Sequence, residues 1–255
     1  MRLVTTDAIV LRSYNLAESD RIVLCLTRTA GLVRGVAKGA RRMKSRFGAA
    51  LEPFTLIKLA FYERENRELV TISTAEILKS RFDLAAELEG ANVLAYLGEL
   101  VGEFAPPHEA NEKMFRMAAA CIDALADLPA AARPISRYFE VWLLRLAGLF
   151  PDVNSCGECG KTLGNETVYL DDEGKLSCQA CSHGRGTSLL PETRRILVAS
   201  QRLVPLEFAN SSADASNEAA VELAAFTHRL IVRALERRPR TQMASSHASA
   251  FVSPA

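Results

Sequence analysis

The chain has 255 residues, 49% of them hydrophobic, and a formal net charge of +1 at pH 7. It can bury a substantial core, as one large domain or two to three small ones, which excludes a peptide that needs a partner to fold. No stretch is apolar over the length of a membrane span, and no basic segment followed by an apolar one stands at the start. We therefore expect a soluble cytoplasmic protein.

The small net charge hides an asymmetry along the chain. Residues 1–80 carry fourteen Lys or Arg against eight Asp or Glu, whereas the remaining residues carry seventeen against twenty-two. An excess of positive charge favours a polyanionic partner such as nucleic acid. Only the first part of the chain fits that description.

Residues 1–80 show five short segments with strand character, rich in Val, Ile, Leu, Thr and aromatic residues and separated by turns. The segments are Ala8–Arg12, Arg21–Thr27, Leu32–Ala37, Phe54–Tyr62 and Leu69–Ile77. Five closely spaced strands predict a small β-barrel, and the OB-fold is the barrel of this size most often used on single-stranded nucleic acid. Cys25 lies within the second segment, where a buried small thiol is expected.

A basic segment joins the third and fourth predicted strands. No acidic residue occurs between Asp20 and Glu52, and seven basic residues fall from Arg28 to Arg46. Cations can neutralise phosphates, and an aromatic ring can stack on a base. The candidate DNA-binding residues are Arg34, Lys38, Arg41, Arg42, Lys44, Arg46 and Phe47. The alternative is a solvated basic loop whose Phe47 packs into the barrel.

From residue 81 the apolar residues recur at helical spacing, which predicts a helical domain over 81–238. Three apolar faces lie within 93–104, 114–125 and 135–149, and helical character returns over 191–203 and 216–238. Asn111 is a candidate N-cap, and Cys121 is expected in the core. The Ser- and Ala-rich residues 239–255 are expected to be a disordered tail. The fold class is therefore α+β, with an OB-fold barrel followed by helices.

Two Cys-x-x-Cys pairs, eighteen residues apart, interrupt the helical domain within 151–185. The cysteines are Cys156, Cys159, Cys178 and Cys181. This spacing lets four thiolates converge on one tetrahedral Zn²⁺, and because four protein ligands close the coordination sphere, the ion would be structural. Two disulfides are the competing interpretation, typical of small secreted domains. His183 could be a substitute ligand, but a solvent-facing loop histidine is the simpler expectation.

Motifs for catalysis are missing from the sequence. There is no GxxxxGK[ST] phosphate loop, no HExxH pair and no GxSxG elbow, and the four histidines are scattered. Glu18 and Asp20 form a close acidic pair, but at the start of a strand a turn role is favoured over acid–base chemistry. We therefore expect a protein that is not an enzyme.

Several segments together carry a resemblance to a known family. They are Glu18-Ser19-Asp20, Gly31, Ala37 to Arg42, Ser45-Arg46-Phe47, Leu51-Glu52-Pro53, Phe139-Glu140, Leu143-Leu144, Gly148 and the paired cysteines. In this order they resemble the DNA repair and recombination protein RecO family. The resemblance covers residues 1–238 and leaves only the tail outside.

The resemblance implies an OB-fold, a helical domain, a zinc module and a non-enzymatic recombination mediator. Members of the family bind single- and double-stranded DNA, anneal complementary strands coated with single-stranded DNA-binding protein (SSB), and act with RecR to help load RecA in the RecFOR pathway. The helical domain would receive the C-terminal tail of SSB. The location implied is the bacterial cytoplasm, in association with the nucleoid. An alternative from another class is a zinc-stabilised protein-interaction adaptor whose DNA binding is incidental.

Overall fold

A computed structural model describes residues 2–63 and 68–241. The first five strands are β1 (Arg2–Leu16), β2 (Asp20–Thr27), β3 (Gly31–Ala37), β4 (Leu56–Glu63) and β5 (Leu69–Lys79). Four helices follow: α1 (Phe82–Ala86), α2 (Leu88–Phe104), α3 (Glu112–Asp127) and α4 (Ala132–Leu146). The remaining elements are β6 (Val168–Leu170), β7 (Leu176–Cys178), α5 (Gln179–Ser182), β8 (Thr187–Leu189), α6 (Pro191–Ala199), α7 (Pro205–Ser211) and α8 (Asn217–Leu235).

The first five strands close into a barrel in the order β1-β2-β3-β5-β4. All neighbouring pairs are antiparallel except β3 and β5, which run parallel over three residues. This order is that of an OB-fold, so the predicted barrel and the α+β class are confirmed. Alternate side chains fill the interior, including Val23, Cys25 and Val33, and burial raises the pKa of the Cys25 thiol to about 12.

The outer wall of the barrel is also part of the core of the helical region. Ile9, Leu11 and Leu26 point outward from β1 and β2 and belong to the same apolar cluster as the helices. Phe54 joins them with a left-handed backbone (φ +63°), and a Cβ placed on Gly98 of α2 would lie 3.1 Å from its ring. The prediction that a strand begins at Phe54 is therefore wrong: Phe54 packs against the helices outside the barrel, and β4 begins at Leu56.

A second junction lies where β3 begins. Gly31 has φ +63°, and a Cβ there would lie 2.2 Å from the carbonyl oxygen of Glu109, ahead of α3. The Leu32 amide donates to Pro106 O (3.4 Å), and the His108 amide donates to Leu32 O (3.2 Å). Glycine is required here both for its positive φ and for the close approach of the two segments.

Helices α2, α4 and α8 are tied together by one buried carboxylate. Glu140 accepts a hydrogen bond from the Tyr96 hydroxyl (2.6 Å) and another from Thr227, and it pairs with Arg137 (2.9 Å). Burial and then Glu140 raise the pKa of Tyr96, so its hydroxyl stays protonated and donates. Asn111 caps α3 as predicted, since its Oδ1 accepts from the Met114 amide at 3.0 Å.

The chain after α8 returns to α2. The carboxylate of Glu99, itself 2% exposed, accepts the backbone amides of Arg240 and Thr241, both at 2.7 Å. Arg237 pairs with Glu103 at 2.6 Å and with Glu99 at 3.5 Å. Of the predicted disordered tail 239–255, residues 242–255 lie outside the described residues. Among the helices of the described ranges, none combines the length and apolar character needed to cross a membrane.

Candidate nucleic-acid interface and metal centre

The four predicted cysteines come together in one cluster. The Sγ atoms of Cys156, Cys159, Cys178 and Cys181 all lie within 4.8 Å of one another. Four sulfur atoms around a tetrahedral ion with bonds of about 2.3 Å would be about 3.8 Å apart, so the cluster fits a metal with little adjustment. The described cysteines are free thiols, and the disulfide alternative finds no support in this arrangement.

Backbone hydrogen bonds shape the two ends of the cluster. The Cys156 amide donates to Lys161 O (2.8 Å), which bends the first pair into a tight turn, and Gly157 N donates to Leu176 O (2.8 Å), which brings β7 alongside. The Cys178 amide donates to Cys156 Sγ at 3.3 Å. Burial raises the pKa of the Cys156 thiol, but hydrogen bonds from the backbone N–H groups of Cys159, Cys178 and Glu158 together outweigh it. The resulting pKa is about 6. A thiolate is the form that binds metals.

The cysteine module packs firmly on the helices. Its three-stranded sheet has the order β7-β6-β8. Cys156, Cys178 and the module's apolar side chains belong to the same core cluster as α4 and α8. His183 is exposed in a left-handed turn after α5, outside the set of four sulfur atoms, as expected for a loop histidine.

Six of the predicted DNA-binding residues lie on β3 and on the loop that follows it. Arg34 is on β3, and the other five cations occupy the basic loop, defined as residues 38–46, which leads from β3 to a short 3-10 turn over Gly48–Leu51. All six are exposed. They are Arg34, Lys38, Arg41, Arg42, Lys44 and Arg46. The ion pairs found in the described part of the chain include none of these six side chains.

The turn between β1 and β2 holds the basic loop in place. Asp20 Oδ1 accepts the Gly39 amide at 2.8 Å, and Ser19 O accepts the Arg41 amide at 2.9 Å. The guanidinium of Arg41 also donates to Ala17 O at 2.8 Å. The hydrogen bond from Gly39, followed by one from Ser19, lowers the pKa of Asp20, so the carboxylate is ionised at neutral pH. Sequence analysis assigned Asp20 a turn role without identifying the loop as its partner.

The seventh predicted residue, Phe47, is not on the surface. Its side chain is 3% exposed and lies in the barrel core with Leu51 and Phe61. Arg46 covers the ring, with its guanidinium carbon 4.9 Å from the ring centroid. The structure corrects the expectation of a base-stacking ring here, because a large apolar side chain gains more from burial than from exposure beside five cations.

The fold defines a multidomain protein of the OB-fold class, whose helical part carries four cysteines placed close enough together to hold one metal ion. The family model "Recombination protein O N terminal" matches residues 1–81, and "Recombination protein O C terminal" matches residues 86–243.

Two curated relatives named "DNA repair protein RecO" illustrate the similarity. The one from Anaeromyxobacter sp. (strain K) is 34% identical over 245 residues, 93% of this chain and 95% of the relative. The one from Koribacter versatilis is 33% identical over 194 residues, 76% of this chain and 79% of the relative. The chain therefore belongs to the Recombination protein O (RecO) family, which gives it a role in DNA repair and recombination.

Proposed function

We propose that this protein is a non-enzymatic recombination mediator. It binds single- and double-stranded DNA, anneals complementary strands coated with SSB, and helps RecR load RecA in the RecFOR pathway. The observation that carries the proposal is the exposed set of six cations on β3 and the basic loop, which forms no ion pairs among the described residues. Cations that are not paired with carboxylates can exchange their counterions for phosphates.

Annealing suits such a surface because the barrier to pairing two strands is largely the repulsion between their phosphates. A loop that neutralises several phosphates lowers this repulsion for any sequence, and it needs no nucleotide hydrolysis. The basic loop is fixed by Ser19 and Asp20, so its charges are already gathered before DNA arrives. Less ordering on binding leaves more of the electrostatic attraction as affinity.

The four cysteines would hold one structural Zn²⁺. The ion would cross-link the turn at Cys156 and Cys159 to the β7–α5 segment at Cys178 and Cys181, two stretches that are otherwise joined by a few hydrogen bonds. With four sulfur ligands it has no open position for a substrate, so its contribution is to the folded shape of the module.

The partners proposed beside DNA are RecR, the C-terminal tail of SSB on the helical domain, and RecA indirectly. The place of action follows from the DNA: the bacterial cytoplasm, in association with the nucleoid.

The test is strand annealing of complementary oligonucleotides coated with cognate SSB, without ATP. The test variant reverses charge at Arg41, Arg42 and Lys44, all to Glu. A matched control reverses three exposed cations of α3 and α4, namely Lys113, Arg116 and Arg133. Both variants change the net charge equally. We expect the wild type and the control to anneal and the loop variant to fail.

Two results would argue against the proposal in different ways. If the folded, metal-loaded wild type does not accelerate annealing, the mediator function fails and a zinc-stabilised adaptor becomes the better account. If all three proteins anneal equally, the protein is a mediator but the basic loop is not its DNA surface.

A further inference from the structure

The burial of Phe47 leaves the basic loop without an aromatic neighbour of its own, but an exposed ring stands nearby on β1. Tyr14 is 47% exposed. It lies two residues before the β1–β2 turn is reached at Leu16, and that turn contains Ala17, whose carbonyl holds the Arg41 guanidinium. Tyr14 therefore belongs to the same side of the molecule as the basic loop.

Strand register places the Tyr14 ring on the outer face of the barrel. Tyr14 is paired with Ile22 on β2, and Ile22 is paired with Val36 on β3. Their neighbours Val23 and Ala37 are interior residues of the barrel. Because side chains alternate between the two faces of a sheet, Tyr14, Ile22 and Val36 form one row across the outer face.

The two ends of this outer face have different surroundings. At one end Leu24 and Leu26 pack against the helical core, and Gly102 of α2 comes within 3.6 Å of Leu24 when a Cβ is placed on it. At the other end Ile22 and Val36 are half-buried and Tyr14 is exposed. The helices thus cover one half of the face, and the half that carries Tyr14 is open.

Cations flank the open half. Arg12, on the same face of β1, points its Nη1 at the Tyr14 hydroxyl at 3.5 Å. Arg34 is exposed on the outer face of β3, opposite Leu24 in register. Arg12 and Arg34 are both paired with Leu24, in the row next to that of Tyr14, and β1 and β3 are two strand spacings apart, about 10 Å. A single strand lying on this face would therefore meet one charge on the strand that carries the ring and another across the sheet.

From this placement we infer that Tyr14 forms a stacking subsite for one base of single-stranded DNA, on the open outer face of β1, β2 and β3. The inference rests on the proposed DNA-binding function. A phenol ring can stack on any base, so the subsite favours single strands without selecting a sequence. Its position agrees with the general use of the strand 2 and 3 face of OB-folds for oligonucleotides.

The first experiment compares affinities for a dT oligonucleotide and for an abasic oligonucleotide of the same length by fluorescence anisotropy. The proteins are the wild type, Tyr14→Phe and Tyr14→Ala. The control is Phe82→Ala, which removes a 71% exposed ring on α1, outside the barrel strands. We expect Tyr14→Ala to weaken dT binding about 5- to 150-fold, the effect of one stacked base, and Tyr14→Phe to stay near the wild type.

The abasic oligonucleotide distinguishes stacking from a structural role. The abasic oligonucleotide lacks bases, so the wild type and Tyr14→Ala should bind it with the same weak affinity and the same salt dependence.

A second variant, Tyr14→Trp, adds an indole to a chain whose single Trp is Trp142. Saturating dT oligonucleotide should quench the added emission.

Each outcome has one meaning. A selective loss of dT binding in Tyr14→Ala together with quenching in Tyr14→Trp supports the subsite. If the wild type binds DNA but Tyr14→Ala binds dT equally well, or the added indole is not quenched at saturation, the subsite is wrong while the proposed function stands. If the wild type binds no DNA, both are overturned.

Discussion

The carboxylate of Asp20 accepts a hydrogen bond from the backbone N–H of Gly39 at 2.8 Å, and this contact joins the β1–β2 turn to the start of the basic loop. Gly39 has φ +71°, so the chain reverses there and brings the Arg41 amide back to Ser19 O. Two neighbouring residues of one turn thus fix two residues of the loop. Ser19 and Asp20 of the Glu-Ser-Asp segment therefore position the Lys-Gly-Ala-Arg segment in this fold.

The first prediction concerns this contact. Asp20→Ala should speed hydrogen exchange of the Gly39 and Arg41 amides, because the loop loses the acceptor that anchors it. Asp20→Asn, which keeps an acceptor oxygen, should retain most of the protection. Exchange followed by mass spectrometry or NMR measures this, and equal protection in the wild type and Asp20→Ala would show that the loop is held by other contacts.

The same contact has a pH dependence with a defined sign. The Gly39 hydrogen bond lowers the pKa of Asp20 below its ordinary value of 3.8. A carboxyl group with a lowered pKa in the folded state stabilises that state above the ordinary pKa and loses the effect as the pH falls through the lowered value. Corrected for intrinsic rates, amide protection in the loop should therefore be constant around neutral pH and fall only in strong acid.

The second prediction concerns salt. If about five phosphates are neutralised, the logarithm of the affinity for single strands should fall with the logarithm of salt concentration with a slope near −3.5, about 0.7 per phosphate. Replacing Arg41, Arg42 and Lys44 by Ala should reduce the steepness by about 2 and weaken many sequences equally. Titrations at several salt concentrations measure the slope, and an affinity insensitive to salt would rule out this surface.

The third prediction separates metal binding from packing in the cysteine cluster. Cys159 is the exposed member, so Cys159→Ser removes a ligand while leaving the core nearly intact. We expect about one equivalent of zinc per wild-type chain, much less in Cys159→Ser, and a lower melting temperature in the variant and after chelation. Cys25→Ala, a buried thiol of the barrel, should keep full zinc content. Wild-type stability after complete metal removal would contradict the structural role.

The fourth prediction uses two glycines with similar backbones and different surroundings. Gly31 and Gly48 both have positive φ, but a Cβ at Gly48 meets nothing within 4 Å, whereas one at Gly31 would meet Glu109 O. Gly48→Ala should cost about 1–2 kcal/mol of unfolding free energy for its left-handed backbone alone. Gly31→Ala should cost about 1–3 kcal/mol more for the forced shift of two segments. Denaturant unfolding of both variants gives the difference, and equal costs would mean that the junction is pliable.

Much of the fold could be predicted because its signals are local. The barrel strands and the long helices follow from the spacing of apolar residues, and the cysteine cluster follows from two short motifs. The short elements β8 and α7 were not predicted, because with three and seven residues they are too short to show a periodic spacing of apolar residues. Their positions depend on packing against elements far away in the sequence.

The side of the barrel to which a side chain points was harder to predict. Phe47 stands in a run of cations and was assigned to the surface, yet it fills the barrel, and Phe54 leaves its expected strand to enter the helical core. Tyr14 lies two residues beyond the end of the first predicted strand, yet β1 continues to Leu16 and leaves the Tyr14 ring exposed. Burial of a ring is decided by the closed barrel and its neighbours, which spacing along the chain does not describe.

The outward-facing residues Ile9, Leu11 and Leu26 of the barrel pack in the helical core, so a fragment that separates barrel and helices would expose them. A fragment that ends after β5 would expose these apolar side chains to water, and fragments with such a surface tend to aggregate. In a fragment that contains only the helices, α2 would lose the apolar barrel surface against which it packs. Barrel and helices therefore stabilise each other through one shared apolar core.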